Sequence, residues 1–411
     1  MRQEKWYHHH AWTGLTALWI IGFIGAITRF IMATYQVQLA EDLHVGRGFI
    51  SLAWSVNLLI AALCAPIGGR LVDRFGPKTI MLAGSLLGTC GAALVFLGHN
   101  APLFFLGYGV VSGLSGIGAS TAYVLLFRWF GNHKAKAAGI LSSASSVGLA
   151  VCTPIFLASS RLTWESAFLL SALLGLLVTV PIILFFIRSD EANSEEIQSL
   201  KPDKSFSTAE PSAPSESRNF TFYLPYFIVA FALFTCGINM GTVEMNLVAI
   251  HQQAAVSPGM ISISMMILGT MEIAGSIVFG TVMDVMNKRL AMTILYGIRV
   301  VSFAILLLHT PWSPIVFAVT FGLTYLGAVP GGMLIANELS SKKGRLIGSL
   351  LLFHQTGGIA GALVGGVSYD LFHHYQWLIG LDALLCVMAT AGYSILAGKN
   401  RMLKGVFSHA G

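Results

Sequence analysis

The feature that most constrains this chain is a series of long apolar runs that nearly fill its 411 residues. Each run reaches about 20 residues, the length that an α-helix needs to cross the hydrocarbon core of a bilayer. Charged residues make up only 10% of the chain, against about 25% in soluble domains. The runs lack the alternation of barrel strands, and closed helices satisfy the backbone in lipid. We therefore predict an all-α membrane protein.

Twelve runs are long enough to be transmembrane helices. No small-residue cleavage site follows the first run, so we expect it to be a transmembrane helix and not a cleaved signal peptide. The predicted helices are 13–38, 47–69, 79–99, 102–127, 135–158, 165–188, 221–249, 259–283, 290–309, 313–336, 346–369 and 375–397.

The positions of Lys and Arg predict the orientation of the helices. Twenty of the 24 basic residues fall in alternate gaps that share one side with both termini, only Arg47 and Arg161 fall on the other side, and Arg29 and Arg299 lie within helices. Because positive charge is retained on the cytoplasmic side, we expect both termini to be cytoplasmic.

Residues 189–218 contain seven acids, three bases and almost no bulky apolar residue, which predicts a flexible cytoplasmic linker. It separates two six-helix bundles at 13–188 and 219–398, flanked by cytoplasmic tails at 1–12 and 399–411. Asp73 after helix two matches Asp284 after helix eight at an offset of 211, and a glycine spacing in helix five recurs in helix eleven at an offset of 209. Two six-helix pseudo-repeats around a midplane site are typical of secondary transporters.

The loop after the second helix carries the pattern GxxxDRxGxK and resembles the signature loop of the major facilitator superfamily. Its matching residues are Gly69, Asp73, Arg74, Gly76 and Lys78. The resemblance covers about 13–398 and implies the major facilitator fold, with the loop carboxylate holding an inner gate closed. Asp73 is then expected to cap the positive start of helix eleven, with Arg128 at the same membrane face. The alternative is that Arg70, Arg74 and Lys78 only set the topology, and both roles can hold together.

Residues 123–148 resemble, more narrowly, the helix four to five segment of the monocarboxylate transporter and oxalate/formate antiporter branch. The acidic opening motif of animal monocarboxylate carriers is missing. That branch carries an arginine late in helix eight, and the corresponding position here lies near Ser276. Glu272 matches the acidic residue that accompanies this arginine in the branch. Gly109 occupies the position where drug/proton antiporters carry an arginine, and their GP motif is absent, which counts against a drug exporter.

Charges within the helices are the best pointers to function, since each needs a partner or a water-filled cavity. The resemblance implies that helices one, four, seven and ten line a central cavity. Arg29 is the only arginine in them and suits a carboxylate substrate, the alternative being a structural pair with Glu244. Glu244 is a candidate proton carrier. Glu272 and Arg299 lie at matching depth, which predicts a structural ion pair.

Four further polar residues lie at mid-depth. His354 is a second candidate for proton coupling or else a neutral hydrogen-bonding group. Asn57, Asn239 and Tyr325 are candidate substrate contacts, with hydrogen bonds between helices as the equal alternative. Asp382 is expected at an interhelical or outer aqueous surface.

These features predict a proton-coupled carrier of a small organic anion such as a monocarboxylate, working by alternating access as a monomer in a bacterial inner membrane. One alternative is proton-driven efflux of a drug, siderophore or amphipathic metabolite. A more distant alternative is a non-transporting sensor or an intramembrane hydrolase using Ser115 and His354. Nucleotide-binding and metalloenzyme motifs do not occur. We therefore expect no enzyme activity, no cofactor, no metal site and no nucleic-acid partner.

Overall fold

The structure, a computed structural model, describes residues 2–130, 134–159, 161–187, 220–339 and 343–408. Within these residues twelve helices are long and apolar enough to span a membrane. They are α1 (Ala11–Asp42), α2 (Arg47–Phe75), α3 (Pro77–Leu97), α4 (Ala101–Trp129), α5 (Ala137–Ala158), α6 (Trp164–Phe186), α7 (Leu224–Gln253), α8 (Pro258–Val285), α9 (Lys288–Leu308), α10 (Ser313–Ala336), α11 (Gly348–Phe372) and α12 (Gln376–Gly398). The predicted fold class, an all-α membrane protein of twelve spans, is confirmed.

The helical backbone extends beyond several of these spans. It runs from residue 2 into α1 and continues from α12 to residue 408, so most of both predicted tails is helical. The predicted linker at 189–218 lies outside the described residues. Because twelve spans return the chain to its starting side, we call the side of the two termini the terminal side and the opposite one the far side.

Several spans depart from a regular α-helix. A wide π-type turn occupies Phe105–Val111 in α4 and another occupies Gly175–Thr179 in α6. Between α2 and α3, Gly76 has a φ of +81°, which glycine adopts without strain, and Pro77 then opens α3. The predictions of continuous helices at 102–127 and 313–336 are each wrong at one point. In α4 a 3-10 turn at Ser115–Gly118 is followed by a turn at 119–120, and α10 is interrupted at 326–327.

The helices form two groups, α1–α6 and α7–α12, each with a buried apolar core. The main contacts between the groups are α5 with α8, α2 with α11, and α1 with α7. The first two pairings are reciprocal: helix two of one group meets helix five of the other. The candidate site therefore lies where α1, α5, α7, α8 and α10 converge.

Glycines bring α11 unusually close to α7. A Cβ on Gly237 would collide with the backbone carbonyl of His354, and one on Gly361 would collide with that of Ile238. Small residues allow this close approach in membranes, where packing rather than hydrophobicity drives helix association.

Candidate functional site

A cavity of about 200 Å³ lies between the two helix groups at mid-membrane, and three predicted residues meet in it. The Arg29 guanidinium of α1 lies 3.6 Å from a carboxylate oxygen of Glu244 in α7. The other oxygen of Glu244 accepts a hydrogen bond of 2.5 Å from the Tyr325 hydroxyl of α10. The Arg29 side chain keeps 40% of its surface exposed and lines the cavity.

Glu272 of α8 lies at the edge of the same cavity. Its carboxylate accepts a 2.7 Å hydrogen bond from the Ser146 hydroxyl of α5, across the interface between the two helix groups. Glu272 is only 4% exposed, and among the described residues no basic nitrogen lies within 4.0 Å of its carboxylate. A buried carboxylate without a cation is costly in its charged form, so a bound proton would relieve that cost.

The remaining cavity wall is largely apolar, which leaves Arg29, Glu244, Glu272 and Tyr325 as its principal polar groups. The other lining residues are Phe30, Ala33, Ser145, Ser146, Leu149, Thr153, Met240, Val243, Val248, Met265, Leu268 and Leu326. Such a surface suits a ligand with one polar end and a short apolar body.

A second cavity, of about 490 Å³, is lined entirely by α1–α6 and shares Arg29 with the first. Asn57 lines it and donates a 2.7 Å hydrogen bond to the Tyr108 carbonyl. Ser115 also lines it, beside Gly88 of α3, whereas His354 contacts α7 in the other group. The structure does not bring together the serine and histidine that an intramembrane hydrolase would need.

The predicted ion pair between Glu272 and Arg299 is wrong. Arg299 is fully buried and donates to Asn239 at 3.3 Å, and Asn239 donates to Asp382 at 2.7 Å. Arg299 thus faces α7, α10 and α12, while Glu272 faces α5; equal depth did not ensure that the two helices turn these side chains toward each other. Asn239 is buried in this network and does not line the cavity, which agrees with the alternative of a hydrogen bond between helices; its contact with a substrate stays a prediction. Asp382 is completely buried between helices.

His354 lies at the α7–α11 contact, with its Nε2 atom buried and without a hydrogen-bond partner. It does not line either cavity. Its role in proton coupling stays a prediction.

The loop that resembles the family signature lies on the terminal side. Asp73, Arg74 and Arg128 are exposed, and Lys78 donates a 2.7 Å hydrogen bond to the Leu184 carbonyl of α6. The side chains around the start of α11 lie outside the described residues. The expected cap of that helix by Asp73 therefore stays a prediction.

The far side holds a contact between the helix groups that was not predicted. Asp370 at the end of α11 accepts hydrogen bonds from the backbone nitrogens of Arg47 (2.9 Å) and Gly48 (2.8 Å) at the start of α2. The Arg47 guanidinium lies 3.4 Å from the Tyr369 ring centroid and donates to the Tyr375 hydroxyl at 3.0 Å. Burial raises the pKa of Tyr375 to about 12, so this hydroxyl stays neutral at physiological pH.

Sequence reasoning missed Ser146 and this far-side contact. The serine-rich run at 142–146 was a usable signal, since hydroxyls within membrane helices commonly bond across helix interfaces. The far-side residues carried no such signal, because charged and aromatic residues are ordinary at helix ends.

Comparison with known proteins identifies similar membrane transporters. The profile of the Major Facilitator Superfamily matches residues 18–328 and, in an overlapping second match, 229–401. An uncharacterized MFS-type transporter, YcxA, of Bacillus subtilis is 27% identical over 363 residues, covering 84% of this chain and 85% of that protein.

Two further relatives have named substrates. Monocarboxylate transporter 4 of Rattus norvegicus is 23% identical over 419 aligned positions, covering 96% of this chain and 83% of that protein. The oxalate:formate antiporter of Oxalobacter formigenes is 24% identical over 275 residues, covering 66% of this chain and 63% of that protein. Among solved structures, a point mutant of the nucleoside transporter NupG has a TM-score of 0.72 at 13% identity, covering 93% of this chain and 99% of that one. At that identity the similarity concerns the fold alone.

Proposed function

We propose that this chain, which belongs to the major facilitator superfamily and is a multi-pass membrane protein, is a secondary transporter that carries a small organic anion together with a proton. The observation that carries the proposal is the pair between Arg29 and Glu244, which joins the two helix groups inside a small cavity. Relatives named for monocarboxylates and for oxalate and formate support an anionic substrate.

The geometry of this pair suggests how anion and proton are coupled. A substrate carboxylate reaching Arg29 competes with Glu244, and a guanidinium fork favours a bidentate carboxylate over a contact at 3.6 Å. Once Glu244 is displaced from Arg29, a proton on its carboxyl removes an uncompensated charge from the membrane interior. One anion and one proton together carry no net charge. The loaded carrier can therefore change from one open side to the other without moving substrate charge through the membrane potential.

Two cavities share Arg29, and the one that contains Glu244 is the smaller of the two and favours a small substrate. Pockets for drug-sized ligands are about 300–1,000 Å³, whereas this one is about 200 Å³. A short monocarboxylate fits, with its carboxylate at Arg29 and its body against Val243 and Leu268.

Alternating access is part of the proposal. The recorded hydrogen bonds between helix groups in the described residues lie at mid-depth or toward the far side, from Ser146–Glu272 to the contacts of Asp370. With both termini in the cytoplasm, as the positive charges predict, these hydrogen bonds of the described residues hold the outer side closed.

Counterflow in proteoliposomes tests the proposal. Vesicles loaded with unlabelled lactate should accumulate labelled lactate from outside, and Arg29→Gln should reduce this about 10- to 100-fold, the loss expected when a hydrogen bond to a charged group is removed. Glu244→Gln resembles the protonated carboxyl and should retain exchange while uptake no longer responds to a pH gradient. Arg161→Gln, an exposed loop arginine far from the cavity, is the matched control.

A second candidate, efflux of a cationic or amphipathic compound, is favoured by one observation: Glu272 lines the cavity without a cationic partner in the described residues. Normal lactate exchange by Arg29→Gln would contradict the anion proposal. Transport of tetraphenylphosphonium that is lost with Glu272→Gln would establish the second candidate instead.

A further inference from the structure

We infer that Arg299 is a positioning residue for the cavity: it holds the interruption of α10 so that Tyr325 directs its hydroxyl onto Glu244. This inference deepens the proposed function and rests on it for its significance. Arg299 itself lies outside the cavity lining, and Tyr325 is the one of its hydrogen-bond partners in the described residues that lines the cavity.

The interruption creates unsatisfied backbone groups inside the membrane. The first segment of α10 ends at Tyr325 and the second begins at Ala328. Pro330 lacks an N–H and therefore cannot bond the Leu326 carbonyl as a continuous helix would. The last carbonyls of a helix have no helical partners, and in the membrane they need other donors.

Arg299 of α9 supplies those donors. One terminal nitrogen donates to the carbonyls of Thr324 at 3.0 Å and Tyr325 at 3.3 Å, and its Nε donates to the Thr324 hydroxyl at 3.3 Å. The other terminal nitrogen donates to Asn239, which connects the guanidinium to the Asp382 carboxylate. Asp382 of α12 thus balances the charge of Arg299 at the interruption of α10, and Asn239 of α7 links the two side chains.

Tyr325 links this network to the cavity. Its backbone carbonyl is bound by Arg299, and its hydroxyl donates to Glu244 at 2.5 Å. Glu244 in turn faces Arg29. The Arg299 guanidinium therefore fixes the position of Tyr325, and Tyr325 holds the carboxyl of Glu244. This is the carboxyl that we propose leaves Arg29 when substrate binds.

Labelling with dicyclohexylcarbodiimide tests this inference in the purified full-length protein, because this apolar reagent attacks carboxyls inside membrane proteins. Peptide mass spectrometry measures the adduct at Glu244, with the adduct at Glu272 as the internal reference for entry into the cavity. Tyr325→Phe should raise labelling of Glu244 about tenfold, equivalent to losing about 1.4 kcal/mol.

The decisive variant combines Arg299→Gln with Asp382→Asn, which removes both charges of the network together. It should raise Glu244 labelling as much as Tyr325→Phe does, with no further rise when all three changes are combined. Arg299→Lys keeps the charge but loses the fork, so it should fold and give a smaller rise. Ser302→Ala is the matched control, because Ser302 also joins α9 to α10, through Thr320, but one turn away from the break.

Unchanged labelling in both Arg299 variants would overturn the inference. So would a rise that adds fully to that of Tyr325→Phe, because Arg299 would then act independently of the tyrosine. The reagent needs no substrate, so a failure of lactate transport refutes the proposed function while leaving this measurement intact.

Discussion

Removing the Asp370 carboxylate should open the far side of the protein. Asp370 accepts two backbone N–H groups at the start of α2, at 2.9 and 2.8 Å, and it belongs to the other helix group. A side chain that caps a helix start is worth about 0.5–2 kcal/mol, and a negative charge there adds about 0.3–1 kcal/mol. Because Asp370 is exposed to solvent, we take about 1.4 kcal/mol in total, equivalent to a tenfold change in an equilibrium constant.

Asp370→Ala should therefore increase the population open to the far side about tenfold. The assay places a cysteine at Ser55, whose hydroxyl donates to the Ile359 carbonyl across the same interface and is buried when the far side is closed. The exposed Cys90 is first replaced by serine. Intact cells are then treated with an impermeant thiol reagent, and the labelling rate should rise about tenfold with the change in population.

Asp42→Ala is the matched control. Asp42 is an exposed carboxylate at the same face, but it accepts from the Trp164 indole within its own helix group. A labelling rate that is unchanged in Asp370→Ala, or that rises equally in Asp42→Ala, would refute the view that Asp370 holds the two groups together.

Two further predictions concern packing and orientation. Gly361→Ala should lower the free energy of unfolding by about 1–3 kcal/mol, because the new Cβ would collide with the Ile238 backbone. Gly380→Ala is the control: its added Cβ meets nothing within 4 Å, so it should unfold thermally like the native protein. A cysteine at Asn287 should react with impermeant reagent only from the cytoplasm and one at His99 only from outside, and the reverse pattern would contradict the orientation inferred from the positive charges.

Much of the fold could be predicted without the structure. A membrane span needs only length and apolar composition, both local properties, so all twelve helices were found. The interruption of α10 was missed although Gly327 and Pro330 mark it, because the segment stays apolar throughout and hydropathy does not register a lost hydrogen bond.

The sequence predicted which charged residues belong to the candidate site but not all of their partners. Arg29, Glu244 and Glu272 were recognisable as charges inside apolar runs, where each implies a partner or a cavity. Their partners were not all recognisable. The pairing of Arg29 with Glu244 was foreseen as one alternative, whereas Glu272 was assigned to Arg299 and in fact meets Ser146.

The sequence by itself determined which segments cross the membrane and how deep each charge lies, because hydrophobic length sets the first and the rise of 1.5 Å per residue sets the second. Only the tertiary structure decided which way each helix is rotated about its axis and which neighbour it faces. Those choices come from close packing between helices distant in the chain, such as α7 against α11. They separate Arg299 from Glu272, bury Asn239, and bring Tyr325 onto Glu244.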